Sequence, residues 1–218
     1  ILATHHHPDH IGGARVLSEK LGLPLWAHRQ TADRLAGVVQ FERLIEDGER
    51  IELDGPEPIV LEAVHTPGHA PGHLCFHERG SGVMIAGDMV AGVGTILVEP
   101  EDGDMALYLA SLAAMAAREP TRLLPAHGGV ISEPARCLES YIAHRRRREE
   151  KVLAALARLD RPVTAAELVP VAYDDAPKSV WPLAARSAEA HLLKLVAEGR
   201  ALRRDKGYEV ARVKLAGS

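Results

Sequence analysis

The strongest constraint on this chain is the segment Thr4–His10, in which four metal-ligand side chains fall within six residues. Their order is His-x-His-x-Asp-His, and a regular helix or strand cannot direct all four side chains at one ion. On a tight loop after a strand, His5 and His7 can point one way, while Asp9 and His10 point the other. The segment therefore predicts a loop that addresses two adjacent ions, and its specific flanking residues argue against a purification tag.

Composition is that of an ordinary globular protein. Of the 218 residues, 46% are hydrophobic and 26% are charged, which excludes a disordered chain. No apolar run approaches the roughly 18 residues that a membrane span needs, so no membrane partner is expected. The two cysteines, Cys75 and Cys137, cannot build a disulfide scaffold, and we therefore expect a reducing, cytoplasmic location.

Charge divides the sequence into two parts. Residues 1–140 hold 10 Lys and Arg against 20 Asp and Glu, whereas residues 141–218 hold 16 against 10. Such asymmetry predicts two domains, which we place at residues 1–144 and 145–218.

The second part has its own sequence pattern. Thr164–Glu167 matches a capping box that opens a helix, and a second helix is predicted over 182–198. Residues 201–210 then predict two strands around a basic turn. Two helices followed by such a hairpin resemble a winged helix.

Three further candidate ligands each follow a predicted strand. His69 ends the run His-Thr-Pro-Gly-His, Asp88 follows a glycine, and His127 precedes a glycine pair. Because α/β folds gather their active sites at strand ends, we expect these side chains to meet the segment 4–10. Asp88 has two oxygens and can bridge two ions about 3.5–4 Å apart. The remaining histidines of these motifs are expected to be bystanders or to have supporting roles: His6, His65 and His73.

The ligand types favour zinc. Imidazole and carboxylate groups suit Zn²⁺ or a neighbouring transition metal, and histidine at both His5 and His7 favours zinc over a di-iron oxidase-like use. Two zinc ions bring four positive charges, of which Asp9 and Asp88 return only two. The site therefore has room for a hydroxide and an anionic substrate.

These motifs, in this order, resemble those of the metallo-β-lactamase superfamily. The resemblance covers about residues 1–144 and implies an α/β fold, the four-layered αββα sandwich, followed here by the winged helix. Family members carry some dozens of residues of strand before the first motif, so we expect that the N-terminal part is missing here. The resemblance implies first-site ligands His5, His7 and His69, second-site ligands Asp9, His10 and His127, and Asp88 shared between the two.

Two subgroups remain after comparison of the motifs. One class of β-lactamases needs a cysteine ligand at the position of Asp88, so the aspartate argues against that class. The interval between Asp88 and His127 is too short for an inserted domain, which argues against the RNA-processing members that carry one. The run Thr66–His73 is similar to glyoxalase-II-type thioesterases. The stretches 87–112 and 141–149 are similar to the β-lactamase-like protein 2 group, which carries a C-terminal winged helix, and we prefer this group.

The predicted enzyme is a zinc-dependent hydrolase that uses a metal-bound hydroxide at a binuclear site. A metal ion lowers the pKa of its bound water to about 7, and Asp9 is the expected catalytic residue that orients this nucleophile. The expected substrate is an ester or thioester of a small molecule or an acyl carrier.

Other functions remain open at this point. One is a metal-dependent endoribonuclease acting on single-stranded RNA, and another is a glyoxalase-II-like hydroxyacylglutathione hydrolase. A winged-helix nucleic-acid binder with a sensor metal is disfavoured by the complete ligand set, and a homodimer is possible. The RNA hypothesis depends on basic residues, namely Arg145–Arg148, Arg203, Arg204 and Lys206.

Overall fold

The computed structural model describes residues 1–211 of the chain. These residues divide into two compact units, of which the first comprises residues 1–96 and 106–142. The second comprises residues 97–105 and the residues from 143 onward. The domain boundary that we place after residue 144 stays a prediction.

The first unit contains short helices and seven strands. In chain order its elements are α1 (Pro8–Ile11), α2 (Ala14–Leu21), β1 (Trp26–His28), α3 (Arg29–Arg34), β2 (Arg43–Ile45), β3 (Arg50–Leu53), β4 (Ile59–His65), β5 (Leu74–Glu78), β6 (Val83–Gly87), α4 (Met105–Ala116), β7 (Arg122–Pro125) and the start of α5 (Pro134–Ala157). The strand and helix order is that of a mixed α/β fold, as predicted.

Strand direction determines where the functional loops lie. Five strands form one sheet in the order β3-β4-β5-β6-β7, and β1 pairs with β2 in a separate parallel sheet. Because β4 and β6 both run antiparallel to β5, and β7 runs parallel to β6, the C-terminal ends of β4, β6 and β7 lie at the same edge. The loops that follow these three strands therefore share one edge of the sheet.

The core of the first unit combines aliphatic side chains with a few large aromatic ones. β5 is apolar on both faces, with Leu74, Cys75 and Phe76 at most 2% exposed, as expected for a central strand. For α4 the sequence predicts an apolar stripe that includes Tyr108 and Leu112. Both residues are fully buried, which confirms this prediction.

The N-terminal helix agrees with its prediction in extent but not in burial. The sequence predicts one helix over 12–21 with an apolar face, and the chain forms this helix as α2. The short helix α1 is added before it, and Pro8 begins α1 inside the ligand motif, where its missing N–H costs nothing. Leu17 and Leu21 on α2 are 49% and 61% exposed, so the apolar face of this helix is not buried at these two residues.

The second unit folds as a winged helix. Its elements after α5 are α6 (Ala165–Ala172), a 3₁₀ turn (Lys178–Val180), α7 (Trp181–Ala197), β8 (Ala201–Arg204) and β9 (Gly207–Val210). Thr164 and Glu167 form the predicted capping box at the start of α6. Val163 pairs with Tyr208 as a third, single-residue strand of the hairpin. The unit has its own apolar core, which includes Val152, Leu156, Leu168, Leu192 and Leu195.

The long helix α5 carries the basic run Arg145–Arg148. A run of four arginines in a helix predicts a solvated helix turn. Arg145 and Arg148 are only 3% and 9% exposed, so this prediction is wrong for these two. The guanidinium of Arg148 stacks 4.1 Å from the ring of Tyr173 and pairs with Asp175, which compensates its burial. Within the described part of the chain, neither α5 nor any other helix is long and apolar enough to cross a membrane.

Truncation of Phe76 tests the assignment of the sheet core. Phe76→Ala removes a ring that is 2% exposed and should lower the free energy of unfolding by about 3–5 kcal/mol. Ile59→Ala on β4 is the matched control, because Ile59 is 45% exposed and should cost below about 1 kcal/mol. Urea unfolding followed by circular dichroism, with zinc held constant, measures both. Equal losses would contradict the burial of Phe76.

Candidate metal centre

Three loops and the N-terminal segment bring the predicted ligands to one edge of the five-stranded sheet. The prediction of a loop for this segment is wrong for Asp9 and His10, which lie on the short helix α1. His69 lies in the loop after β4, Asp88 follows β6, and His127 follows β7. The N-terminal segment reaches this edge because the Thr4 carbonyl accepts a 2.8 Å hydrogen bond from the Leu74 N–H at the start of β5. The strand directions therefore gather segments that are more than 100 residues apart in the sequence.

Three imidazoles form the first cluster. His7 Nδ1 lies 3.0 Å from both His5 Nε2 and His69 Nε2, and these two nitrogens are 3.3 Å apart. Nitrogen ligands of a tetrahedral zinc ion, each 2.0–2.1 Å from the metal, are themselves separated by about 3.3 Å. The three nitrogens therefore have nearly the spacing of a metal-binding triad.

The second cluster combines a carboxylate with two imidazoles. Asp9 Oδ2 lies 3.3 Å from His127 Nε2 and 3.7 Å from His10 Nε2. Asp9, His10 and His127 can thus direct one ligand atom each at a common point.

Asp88 lies between the two clusters. Its Oδ2 is 3.6 Å from His69 Nε2, whereas its Oδ1 is 3.4 Å from His10 Nε2 and 3.5 Å from His127 Nε2. Burial acts to raise the pKa of Asp88, but the neighbouring imidazoles of His10, His69 and His127 outweigh it and lower this pKa. An ionised carboxylate with one oxygen facing each cluster is suited to bridge two ions.

The donor atoms fit a divalent transition metal. Within the described part of the chain, His10 Nε2 and Asp88 Oδ1 are buried without a hydrogen-bond partner, a state that costs about 1–3 kcal/mol per group. Burial, together with the surrounding imidazoles, holds the pKa of His5 far below its usual value, so its ring is neutral. Neutral imidazole is the form that binds metal, and a bound cation would satisfy the unpaired atoms.

The two clusters differ in exposure. His5 is fully buried, whereas the side chains of Asp9 and His127 are 58% and 50% exposed. The loops beside His127 carry two exposed valines, Val93 and Val130, which are 77% and 58% exposed. The second cluster is therefore the side of the site that a substrate can reach.

Close packing against α4 positions the turn that carries His69. Gly68 has a φ of +128°, and a Cβ there would lie 2.2 Å from the backbone nitrogen of Tyr108. Ser111 Oγ donates a 2.7 Å hydrogen bond to the carbonyl oxygen of Pro67. Only glycine permits this approach, which explains the Pro-Gly pair before His69.

Sequence reasoning missed one group at the site and located another only in part. Thr4 Oγ1 lies 3.1 Å from His5 Nδ1 and 3.3 Å from His10 Nδ1, so it links the two clusters. Its position directly before the motif was the available signal. His73, expected in a supporting role, is fully buried next to Asp88, and burial with the nearby His69 holds its pKa well below the usual value.

Comparison with known proteins agrees with this geometry. The profile of the metallo-beta-lactamase superfamily matches residues 1–127, and that of the beta-lactamase associated winged helix domain matches residues 164–209. The chain belongs to the metallo-β-lactamase superfamily. Its predicted fold class is therefore confirmed, as is its prediction as a metal-dependent hydrolase of this class. The seven ligands of the predicted set lie in the two clusters and at Asp88, and their role as ligands stays a prediction.

Relatives of this metallo-β-lactamase-fold chain include the preferred subgroup. This chain is 32% identical over 206 residues to the beta-lactamase-like protein 2 homolog of Drosophila melanogaster, and the match covers 92% of this chain and 69% of the relative. The homolog from Caenorhabditis elegans is 28% identical over 203 residues, which cover 91% of this chain and 65% of the relative. The chain thus spans about two thirds of the length of these relatives. The atrochrysone carboxyl ACP thioesterase of Aspergillus aculeatus is 32% identical over 181 residues, covering 79% of this chain and 54% of the relative.

Solved structures share the fold of this chain over much or nearly all of its length. A metallo-β-lactamase family protein from Thermus thermophilus superposes with a TM-score of 0.78 at 26% identity, over 96% of this chain and 79% of that protein. A β-lactamase domain protein from Burkholderia ambifaria superposes with a TM-score of 0.80 at 28% identity, over 97% of this chain and 73% of that protein. TTHA1623, solved in a di-iron-bound form, gives 0.52 at 28% identity over 62% of this chain and 72% of its own.

Gly68→Ala tests whether the turn geometry determines metal binding. The added Cβ would collide with Tyr108 and displace His69, so we expect zinc affinity to fall at least about tenfold. Gly129→Ala is the matched control, since a Cβ there meets no atom within 4 Å, and it should retain affinity within about twofold. Competition with a chromophoric chelator measures both. Unchanged zinc binding in Gly68→Ala would contradict this role for the turn.

Proposed function

We propose that this chain hydrolyses thioesters or related esters with two zinc ions, held by His5, His7 and His69, by Asp9, His10 and His127, and by the shared Asp88. The observation that carries this proposal is the position of Asp88, whose two oxygens lie 3.4–3.6 Å from ligand nitrogens of the two clusters. A carboxylate in this position suits a pair of ions about 3.5–4 Å apart.

Zinc is the favoured metal. The ligand set contains imidazole and carboxylate but no thiolate, which suits zinc and its neighbours in the transition series. The similar protein TTHA1623 in its di-iron-bound form makes iron the principal competitor. We favour zinc because His5 and His7 provide histidine at positions where a di-iron oxidase-like centre would use carboxylate.

Asp9 is proposed as the catalytic residue. When bound, the metal ions supply Lewis acidity and lower the pKa of a water so that it attacks at neutral pH. Asp9 Oδ2 lies 3.3 Å from His127 Nε2 and is on the exposed side of the site. With Oδ2 facing the other ligands of the second cluster, the free oxygen Oδ1 can accept a proton from the attacking water and keep that water facing the substrate carbonyl.

The surroundings of His127 support an acyl thioester substrate. Gly92 donates a 2.8 Å hydrogen bond to the carbonyl of His127, and the adjoining loops are rich in glycine. This leaves an open surface bordered by the exposed side chains of Val93 and Val130. Such a surface can accept an acyl chain whose carrier remains outside the protein. The thioesterase of Aspergillus aculeatus among the relatives supports the same chemistry.

Thioester hydrolysis by Asp88→Ala tests the proposal. The zinc-loaded protein should hydrolyse an acyl-pantetheine thioester. Loss of the shared carboxylate should lower the zinc content below two ions per chain and reduce turnover by about 100-fold or more. Asp33→Ala on α3 is the matched control and should behave as the parent protein.

Three results would discriminate the alternatives. Preferential turnover of a hydroxyacylglutathione would favour the glyoxalase-II-like function, and cleavage of single-stranded RNA with no thioester turnover would favour the nuclease. Full turnover in Asp88→Ala with zinc retained would contradict the proposed site.

An endoribonuclease is the second candidate, and the hairpin of the winged helix supports it. The groove beside β8 and β9 is lined by Arg161, Arg203, Arg204 and Lys206. Arg204 already pairs with Glu209, and Arg148 of the predicted basic run pairs with Asp175. The basic surface is therefore smaller than the sequence predicted, and Arg203 and Lys206 are its best candidates for phosphate contacts.

Salt dependence tests RNA binding. If the hairpin contacts phosphates, affinity for a single-stranded RNA should fall steeply with added salt, and Arg203→Gln with Lys206→Gln should reduce the logarithmic slope by about 1–2. Arg158→Gln is the matched control, because Arg158 is exposed and lies in the turn directly after α5. Affinity that is insensitive to salt would contradict the nuclease candidate.

The proposal includes a cytoplasmic location. Cys75 and Cys137 are both free thiols, and burial raises the pKa of Cys75 to about 12, which makes it unreactive. Free thiols of this kind fit a reducing compartment. A homodimer stays a prediction.

A further inference from the structure

A buried histidine lies directly behind the shared carboxylate. His73 is fully buried, and its Nε2 accepts a 3.0 Å hydrogen bond from the backbone N–H of Asp88. We propose that His73 is a positioning residue that fixes Asp88 so that its two oxygens face the two metal sites. This inference rests on the metal centre proposed above, and it assigns a role to a side chain that supplies no ligand atom.

A chain of hydrogen bonds fixes the orientation of the His73 ring. Because Nε2 accepts from Asp88, the neutral ring carries its proton on Nδ1 and donates it to Thr66 Oγ1, 2.8 Å away. The Thr66 N–H donates in turn to the His73 carbonyl at 2.9 Å. Thr66 Oγ1 also lies 3.3 Å from Cys75 Sγ, and all three side chains are fully buried. Water therefore cannot replace these bonds when one is lost.

A glycine makes this approach possible. Gly87 has a φ of +49°, and a Cβ there would lie 2.5 Å from His73 Nε2. Any side chain at this position would push the ring away from the Asp88 N–H. The Gly-Asp pair at the end of β6 thus serves the histidine as well as the carboxylate.

The second metal site depends most on this arrangement. The first cluster consists of three imidazoles that already converge within 3.3 Å, with His5 fully buried. In the second cluster, the side chains of Asp9 and His127 are 58% and 50% exposed and are less restricted by packing. Loss of a fixed Asp88 should therefore weaken the second ion more than the first.

Three substitutions at His73 distinguish the hydrogen bond that its Nε2 accepts from the space that its ring fills. His73→Phe keeps a ring without nitrogen, His73→Asn places an amide near the former Nδ1, and His73→Gln places an amide oxygen near the former Nε2. Stepwise zinc binding to the metal-free protein is measured by chelator competition, and the absorption spectrum of the Co²⁺ form reports ligand geometry. We expect the affinity for the second ion to fall about 10–100-fold in His73→Phe and His73→Asn, with an altered Co²⁺ spectrum, and to recover to within about threefold of the parent in His73→Gln.

His77→Asn is the matched control. His77 lies on β5, the strand that begins directly after His73; it is 8% exposed and lies outside the clusters of possible ligands in the described residues. The His77→Asn variant should bind both ions as the parent protein does. If His73→Phe does not fold, Thr66→Val replaces it, because it removes only the hydroxyl that orients the ring and should weaken the second ion while circular dichroism stays unchanged.

Several results would overturn this role for His73. They are parent-like binding of the second ion in His73→Asn, equal loss in His73→Gln and His73→Phe, or the same loss in His77→Asn. A parent protein that binds fewer than two ions would overturn the metal centre itself. A parent protein that binds two ions but hydrolyses no thioester would overturn the substrate proposal alone, because the His73 measurement does not use turnover.

Discussion

The buried concentration of lone pairs at one sheet edge is the constraint on which the rest of this structure depends. Nitrogen and oxygen atoms of the predicted ligands approach one another to 3.0–3.7 Å. His10 Nε2 and Asp88 Oδ1 are buried there without a hydrogen-bond partner in the described residues. Such an arrangement is unfavourable unless a cation lies among the atoms, because desolvated acceptors have nothing to bind. The fold must therefore hold these groups together at a cost in stability that metal binding offsets.

Close contacts at two glycines hold these groups in place. Gly68 lets the turn before His69 pack against Tyr108 of α4, and Gly87 lets the ring of His73 reach the N–H of Asp88. In both places a Cβ would collide with a neighbouring residue. Glycine is therefore needed for the close contact and not for chain flexibility. The predicted ligands of the first cluster are consequently fixed by packing, while Asp9 and His127 of the second cluster remain exposed.

Local sequence patterns predicted much of this protein. The ligand motifs, the apolar stripe with Tyr108 and Leu112 on α4, and the capping box at Thr164 all depend on residues close together in the chain. Errors arose where burial depends on distant partners. Leu17 and Leu21 have helical spacing but are exposed, and Arg148 has the charge of a surface residue but is buried on Tyr173. Periodicity describes which residues share a face, and it does not say what covers that face.

The sequence by itself determined the superfamily and the order of the candidate ligand residues, because the motifs that carry both are local features of the chain. Only the tertiary structure decided that one oxygen of Asp88 faces His69 and the other faces His10 and His127. It also decided that the Asp9 side is open and that His73 lies behind Asp88. These features depend on strand order and direction, which bring residues from opposite ends of the catalytic unit within hydrogen-bond distance. No local pattern contains that information, because the sheet is assembled from contacts between distant segments.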